Sequence, residues 1–320
     1  MRKSASSLTT MENLPNNPLI EFHADTLHAV RKIYNLDQPG AINEAIDTFE
    51  AWIQKQNHFT KKDFDRDYLE RTIIRSKGSV ERAKEHLDKT CTSRTLVPHF
   101  FLKCDVRDPV IANAVEAFMP KLTDDYYRVY MAYNSIQEYT SELFTAFYKR
   151  WAYRMEYICA HDYACGLIMV LDFRNTNLLE FVKHMHIGDF AHAFNLVLGG
   201  YGFRLKGLYL MTSSKFVDSF VSILKQVLSA KIGQRIRVMH HVEDLYEYID
   251  KKLLPKEYGG EELSLKEQHE KWLNVLGSED YDKYLTNIYE AKTIEKLRLK
   301  DGSADDQLGI AGTFRTLKVD

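Results

Sequence analysis

A chain of 320 residues with 43 Lys and Arg against 45 Asp and Glu has a formal charge of −2, which excludes the global basic field that gathers nucleic acid or an anionic bilayer. Its 45% hydrophobic and 12% aromatic content excludes a disordered chain and suffices for a sizeable core, on a length that suggests two units. Cys91, Cys104, Cys159 and Cys165 show neither metal-ligand nor redox spacing, and no secretory leader is evident. We therefore expect reduced thiols in a cytoplasmic, monomeric protein. The start at residues 1–7 is mildly basic and Ser-rich, but no apolar stretch follows it. The apolar run 167–171 is too short to span a bilayer, so any membrane contact is expected to be transient and peripheral.

From Leu27 to Leu87 apolar residues recur at helical spacing: Leu27, Val30 and Ile33, then Ile42, Ile46, Phe49 and Ile53, then Tyr68, Leu69 and Ile73, then Val80, Ala83 and Leu87 behind the N-cap candidate Ser79. Residues 1–95 read as a helical domain. After Pro109 β-rich runs alternate with helices: strand 126–133, helix 141–158 with Phe144, Phe147, Trp151, Met155 and Ile158 on one face, and strand 166–173. Helix 187–198 follows, then Gly199, Gly200 and Gly202, strand 204–211, a long helix capped by Ser213 or Ser214 and running to Lys231, and strand 236–239. Strand, helix, strand in this order predicts an α/β domain, 96–285, with a mainly parallel sheet and flanking helices. Residues 286–320 read as a tail, with a polar linker at 301–306.

Catalytic motifs are missing. His184, His186, His192, His240 and His241 lack the H-E-x-x-H spacing of a metal site, no G-x-S-x-G elbow is present, and the glycines at 199–202 precede a strand instead of opening a helix after one. No catalytic residue, metal or cofactor is expected. The helix at 216–228 is different: its apolar residues cover roughly 160° of arc, more than the stripe of about 100° that an ordinary surface helix needs.

Leu253–Gly260 combines a fixed φ at Pro255, an aromatic anchor at Tyr258 and two permissive glycines, which predicts a helix stop and a sharp corner. The segment Leu254, Pro255, Lys256, Glu257, Tyr258, Gly259, Gly260 resembles the LPxEYGG signature near the end of CRAL-TRIO (Sec14-like) lipid-binding domains. The stretch 68–87 is similar to the helical domain that precedes many of them, although Arg75, Ser76, Lys77 and Gly78 replace its usual basic-aromatic motif. The ending 308–317 is similar to the tail of arthropod members of the tocopherol-transfer and retinaldehyde-binding type. The resemblance implies that helix 216–228 is a gate over a lipid pocket. Pocket candidates are Leu167, Met169, Leu171, Leu196, Leu205, Leu208 and Leu210 from the sheet side, and Phe216, Phe220, Ile223, Leu224 and Val227 from the gate. It also implies a phosphoinositide site at Arg204, Lys206, Lys231 and Arg235, where forked and point-like cations suit phosphate. The expected function is non-enzymatic: binding a small hydrophobic lipid of tocopherol, retinoid or carotenoid type and transferring it between membranes, docked on phosphoinositide. The alternative is a phosphoinositide-sensing scaffold or adaptor that moves no cargo.

Overall fold

The computed structural model describes residues 14–298, so the basic, Ser-rich start at 1–7 and the linker and tail at 301–317 lie outside the described residues. Four helices come first: α1 (Thr26–Ile33), α2 (Ala41–Lys55), α3 (Arg66–Arg75) and α4 (Val80–Leu96). In α2 the buried side chains are Ile42, Ile46, Phe49 and Ile53, the face that helical spacing predicts. Asp65 caps α3 by accepting from the Asp67 N–H, and Ser79 caps α4 by accepting from the Arg82 N–H.

Five strands follow, β1 (Ala114–Leu122), β2 (Tyr127–Asn134), β3 (Gly166–Asp172), β4 (Leu205–Met211) and β5 (Ile236–Met239), and they lie side by side in chain order. Strands β2 to β5 run parallel, while β1 pairs antiparallel with β2. The crossovers carry α5 (Ser141–His161), then α6 (Leu178–His184) and α7 (Ile187–Asn195), then α8 (Val217–Val227) and α9 (Ala230–Gly233). Helices α10 (Leu265–Leu276) and α11 (Glu279–Ile288) follow, α10 packing on β1 through the Trp272 indole, which donates to the Phe118 carbonyl at 3.1 Å.

The fold class is the expected one, with three local differences. Strand β1 is absent from the sequence reading because Glu116 and Pro120 interrupt its pattern, and its register shifts between Phe118 and Leu122; an edge strand tolerates both. The helix expected over 187–198 ends at Asn195 and passes into a wide turn at Leu196–Gly200, and α6 precedes it. The long helix expected from Ser213 or Ser214 to Lys231 is two helices, because Leu228 is extended (φ −95°, ψ 151°), and its N-cap is Phe216, whose N–H bonds the Ser214 hydroxyl at 3.3 Å.

The corner forms as a single turn at Lys256–Tyr258 followed by Gly259 at φ 69°. A Cβ on Gly260 would lie 1.9 Å from the Leu254 carbonyl oxygen, and one on Gly259 would lie 2.2 Å from the Tyr246 hydroxyl. This tight turn carries Tyr258 inward, where its hydroxyl donates to Asp172 at the end of β3 at 2.8 Å. Arg174 holds the same carboxylate at 2.7 Å. Gly260→Ala must displace backbone, so we expect a loss of about 2 kcal/mol or more, read as a lower midpoint in chemical denaturation. Wild-type stability in that variant would refute the steric account of the corner.

Candidate functional site

Helix α5 is an aromatic wall. Phe144, Phe147, Tyr148 and Trp151 recur at spacings of one turn, and instead of closing on the sheet they face a partly open cavity. The sheet contributes the opposite wall through Met169 and Leu171 on β3 with Tyr130 and Ala132 on β2, residues that the parallel register sets side by side. Phe190 and Phe194 on α7 and Phe181 on α6 close one side. Phe220 of α8 closes the top, edge-on to Phe173 and Phe181 at centroid distances of 5.5 and 5.4 Å and tilted toward Phe190 at 6.2 Å.

Three of the pocket candidates, Met169, Leu171 and Phe220, line this cavity. Leu167, Leu205, Leu208 and Leu210 are fully buried beyond it, with Leu208 and Leu210 set beside Met169 and Leu171 by the register. Leu196 faces a second cavity between α4 and α7. On α8, Leu224 is fully buried in the core, while Phe216, Ile223 and Val227 are half-buried. The sequence reading left out the α5 rings as lining groups. Their stripe was visible, but a stripe that packs on a sheet and one that faces a cavity have the same periodicity.

One charged group borders the cavity. Glu116 on β1 is buried and accepts from Arg150 Nε at 2.9 Å, from Arg154 and from the Tyr130 hydroxyl. Burial would raise its carboxyl, but Arg154 and Arg150, with Tyr130, overcome that and hold it at about 2. Arg154 also donates to His269 Nδ1 at 3.1 Å. Burial first, and then the Arg154 charge, push His269 down to about 4, so the ring is neutral in the folded protein. Its unfolded value is near 6.5. Folding thus excludes a proton that the unfolded chain binds, and this contribution to stability, full above about pH 6.5, falls as pH drops toward 4. The Glu116 contribution is lost next, below about pH 4.5 and down toward 2. We expect the thermal midpoint to fall across the first window and His269→Gln to flatten part of that slope; an unchanged slope would refute the assignment.

The basic residues sit on another face. Arg204 and Lys206 flank the Tyr127 ring, at 5.8 and 5.0 Å from its centre. Arg235 donates to the Leu205 carbonyl, and Lys206 reaches Asp125 at 3.6 Å. The helical region adds Lys77, held at φ 58° in the turn between α3 and α4. Partial burial and then Arg204, Lys231, Arg82 and Arg235 lower its pKa. The fold therefore brings Arg204, Lys231 and Arg235 near enough for their charges to act on Lys77. Among the described residues Lys77, Arg204 and Lys231 have no carboxylate partner within ion-pair distance, so their mutual repulsion favours a bound anion. Lys77 escaped the sequence reading as a site residue because only the backbone turn aims it across the domain boundary.

Residues 116–260 match the CRAL/TRIO domain. The match ends at Gly260, the last residue of the corner. Residues 38–111, spanning α2 to α4, match the family described as Pinta-like, UBA domain. A solved structure titled "Crystal structure of Sfh5" overlaps with a TM-score of 0.44 at 13% identity, over 81% of this chain and 98% of that chain. No curated protein matches the chain. Among the described residues no cluster of His, Cys, Asp and Glu has metal-binding geometry and no helix is long and apolar enough to cross a membrane.

Within residues 116–260, Phe220 is the side chain that packs α8 over the cavity. Phe220→Ala should remove about 3 kcal/mol of packing. Hydrogen exchange is the measurement: amides of α8 should exchange faster while those of α5 stay protected, and equal acceleration in both helices would show that α8 is no separate lid.

Proposed function

We propose that the protein carries a small hydrophobic lipid of tocopherol, retinoid or carotenoid type between membranes, without covalent chemistry, as the tocopherol-transfer and retinaldehyde-binding types do. The observation that carries this reading is the aromatic cavity under α8. Its lining is apolar apart from a few hydroxyl, amide and carboxyl groups, so a hydrophobic molecule gains by leaving water and a highly polar one would lose its hydration. The lid is amphipathic, with Phe220 and Leu224 inward and Asp218, Ser219 and Ser222 exposed. Swung outward at a bilayer, the inner face would exchange protein contacts for acyl chains, so opening costs less there than in water.

Docking falls to the basic face, at Arg204, Lys206, Lys231 and Arg235 with Lys77 beside them. A phosphoinositide headgroup supplies the concentrated negative charge that such a cluster lacks, and each cation contributes about 1 kcal/mol near an anionic surface. The protein acts in this reading as a soluble carrier that visits the membrane transiently.

Lipid extraction and native mass spectrometry of the purified protein should find one hydrophobic molecule per chain, and labelled cargo should pass from donor to acceptor liposomes. An empty protein that binds phosphoinositide liposomes but moves nothing would favour a scaffold or adaptor instead. The double variant Arg204→Ala, Lys206→Ala alters exposed side chains only, so it should fold and load normally. Its affinity for phosphoinositide liposomes should fall about thirtyfold, with transfer falling alongside. Undiminished liposome binding would remove the docking role from this face.

A further inference from the structure

The hydroxyl and carboxyl groups around the cavity differ in one respect. Glu116 and Tyr130 satisfy each other, the Tyr133 hydroxyl accepts from Asn175 at 3.1 Å, and the Tyr139 hydroxyl donates to Asn134 at 3.0 Å. Tyr148 also lines the cavity and is 6% exposed, yet its hydroxyl is buried with no hydrogen-bond partner. A buried polar group without a partner is costly, and native structures retain few of them without a reason. The ring is not free to turn its hydroxyl away, because Phe100 stacks on it at 5.0 Å and Phe144 at 6.3 Å. Asp189, whose charge acts on it, is already engaged by His186 at 3.2 Å and by His99 at 3.4 Å. Burial, and then the Asp189 charge, push the phenol upward, so it remains a donor at physiological pH.

The lining also has a second property. It contains no Lys, Arg or His, and its single carboxylate is neutralised by Arg150 and Arg154. A phosphate or carboxylate headgroup inside the cavity would be an unpaired buried charge. We propose, building on the carrier reading, that the cavity selects a neutral lipid with one terminal hydroxyl or carbonyl oxygen, and that this oxygen accepts the hydrogen bond of the Tyr148 hydroxyl. Tyr148 is then the group that discriminates an oxygenated lipid from a hydrocarbon of the same shape, because only the oxygenated one relieves the unpartnered donor.

Tyr148→Phe removes the hydroxyl and keeps the ring. With purified full-length protein, loading from liposomes would be measured by native mass spectrometry for geranylgeraniol, for the hydrocarbon lacking only its hydroxyl, and for geranylgeranyl phosphate as a competitor. The alcohol-to-hydrocarbon ratio should fall about tenfold in Tyr148→Phe, with hydrocarbon loading equal or higher, and the phosphate should fail to displace the alcohol. The thermal midpoint of the empty variant should be equal or higher, since no internal hydrogen bond is lost. An unchanged ratio, a lowered midpoint, or displacement by the phosphate would overturn the assignment while leaving a lipid carrier in place. Failure of both neutral probes to load the wild type would overturn the carrier reading itself, and this assignment with it.

Discussion

The buried carboxylate of Glu116 sets the geometry on which the rest of the α/β domain depends. It ties β1 to α5 through Arg150 and Arg154, and Arg150 also donates to the Ala114 carbonyl at 2.7 Å. Breaking such a network strands buried charge, so the positions of its members are strongly determined. With α5 fixed to the edge strand by one face, its neighbouring aromatic face meets β2 and β3 across a gap that its rings border without filling. The cavity is thus a consequence of where the ionic contact holds the helix.

A second set of buried charges joins the helical region to that wall. Arg94 of α4 pairs with Glu156 of α5 at 2.7 Å, the Tyr201 hydroxyl donates to the same oxygen at 2.7 Å, and Arg75 of α3 donates to the Tyr201 carbonyl at 2.9 Å. These contacts seat the turn between α3 and α4 so that Lys77 comes close to the basic residues of the α/β domain. The two candidate surfaces, an apolar interior and a cationic exterior, therefore share α5 as their reference. The corner at Tyr258 plays a related part at the other end of β3, where it anchors Asp172 without lining the cavity.

Much of the fold was legible in the chain. The face Ile42, Ile46, Phe49, Ile53 gave α2, the short runs gave β2 to β5, and the glycines at 259 and 260 marked a corner that tolerates no side chain. Less was legible where a local rule was overridden. Strand β1 hid behind Glu116 and Pro120, whose burial and edge position only the assembled sheet explains. The helix at 217–227 kept an apolar periodicity through Leu228, but the backbone turns extended there, a tertiary decision that hydrophobic spacing does not encode.

Local patterns determined by themselves the helices of the first hundred residues, the strands β2 to β5, that the sheet is mainly parallel, and that the corner needs Gly259 and Gly260, because helix period, strand period and steric freedom are properties of neighbouring residues. The tertiary structure alone decided that the rings of α5 face a void, that Lys77 approaches cations more than a hundred residues away in the chain, and that the Tyr148 hydroxyl is left without a partner. Enclosure, charge proximity and hydrogen-bond satisfaction depend on which elements meet in space, and no stretch of sequence carries that information alone.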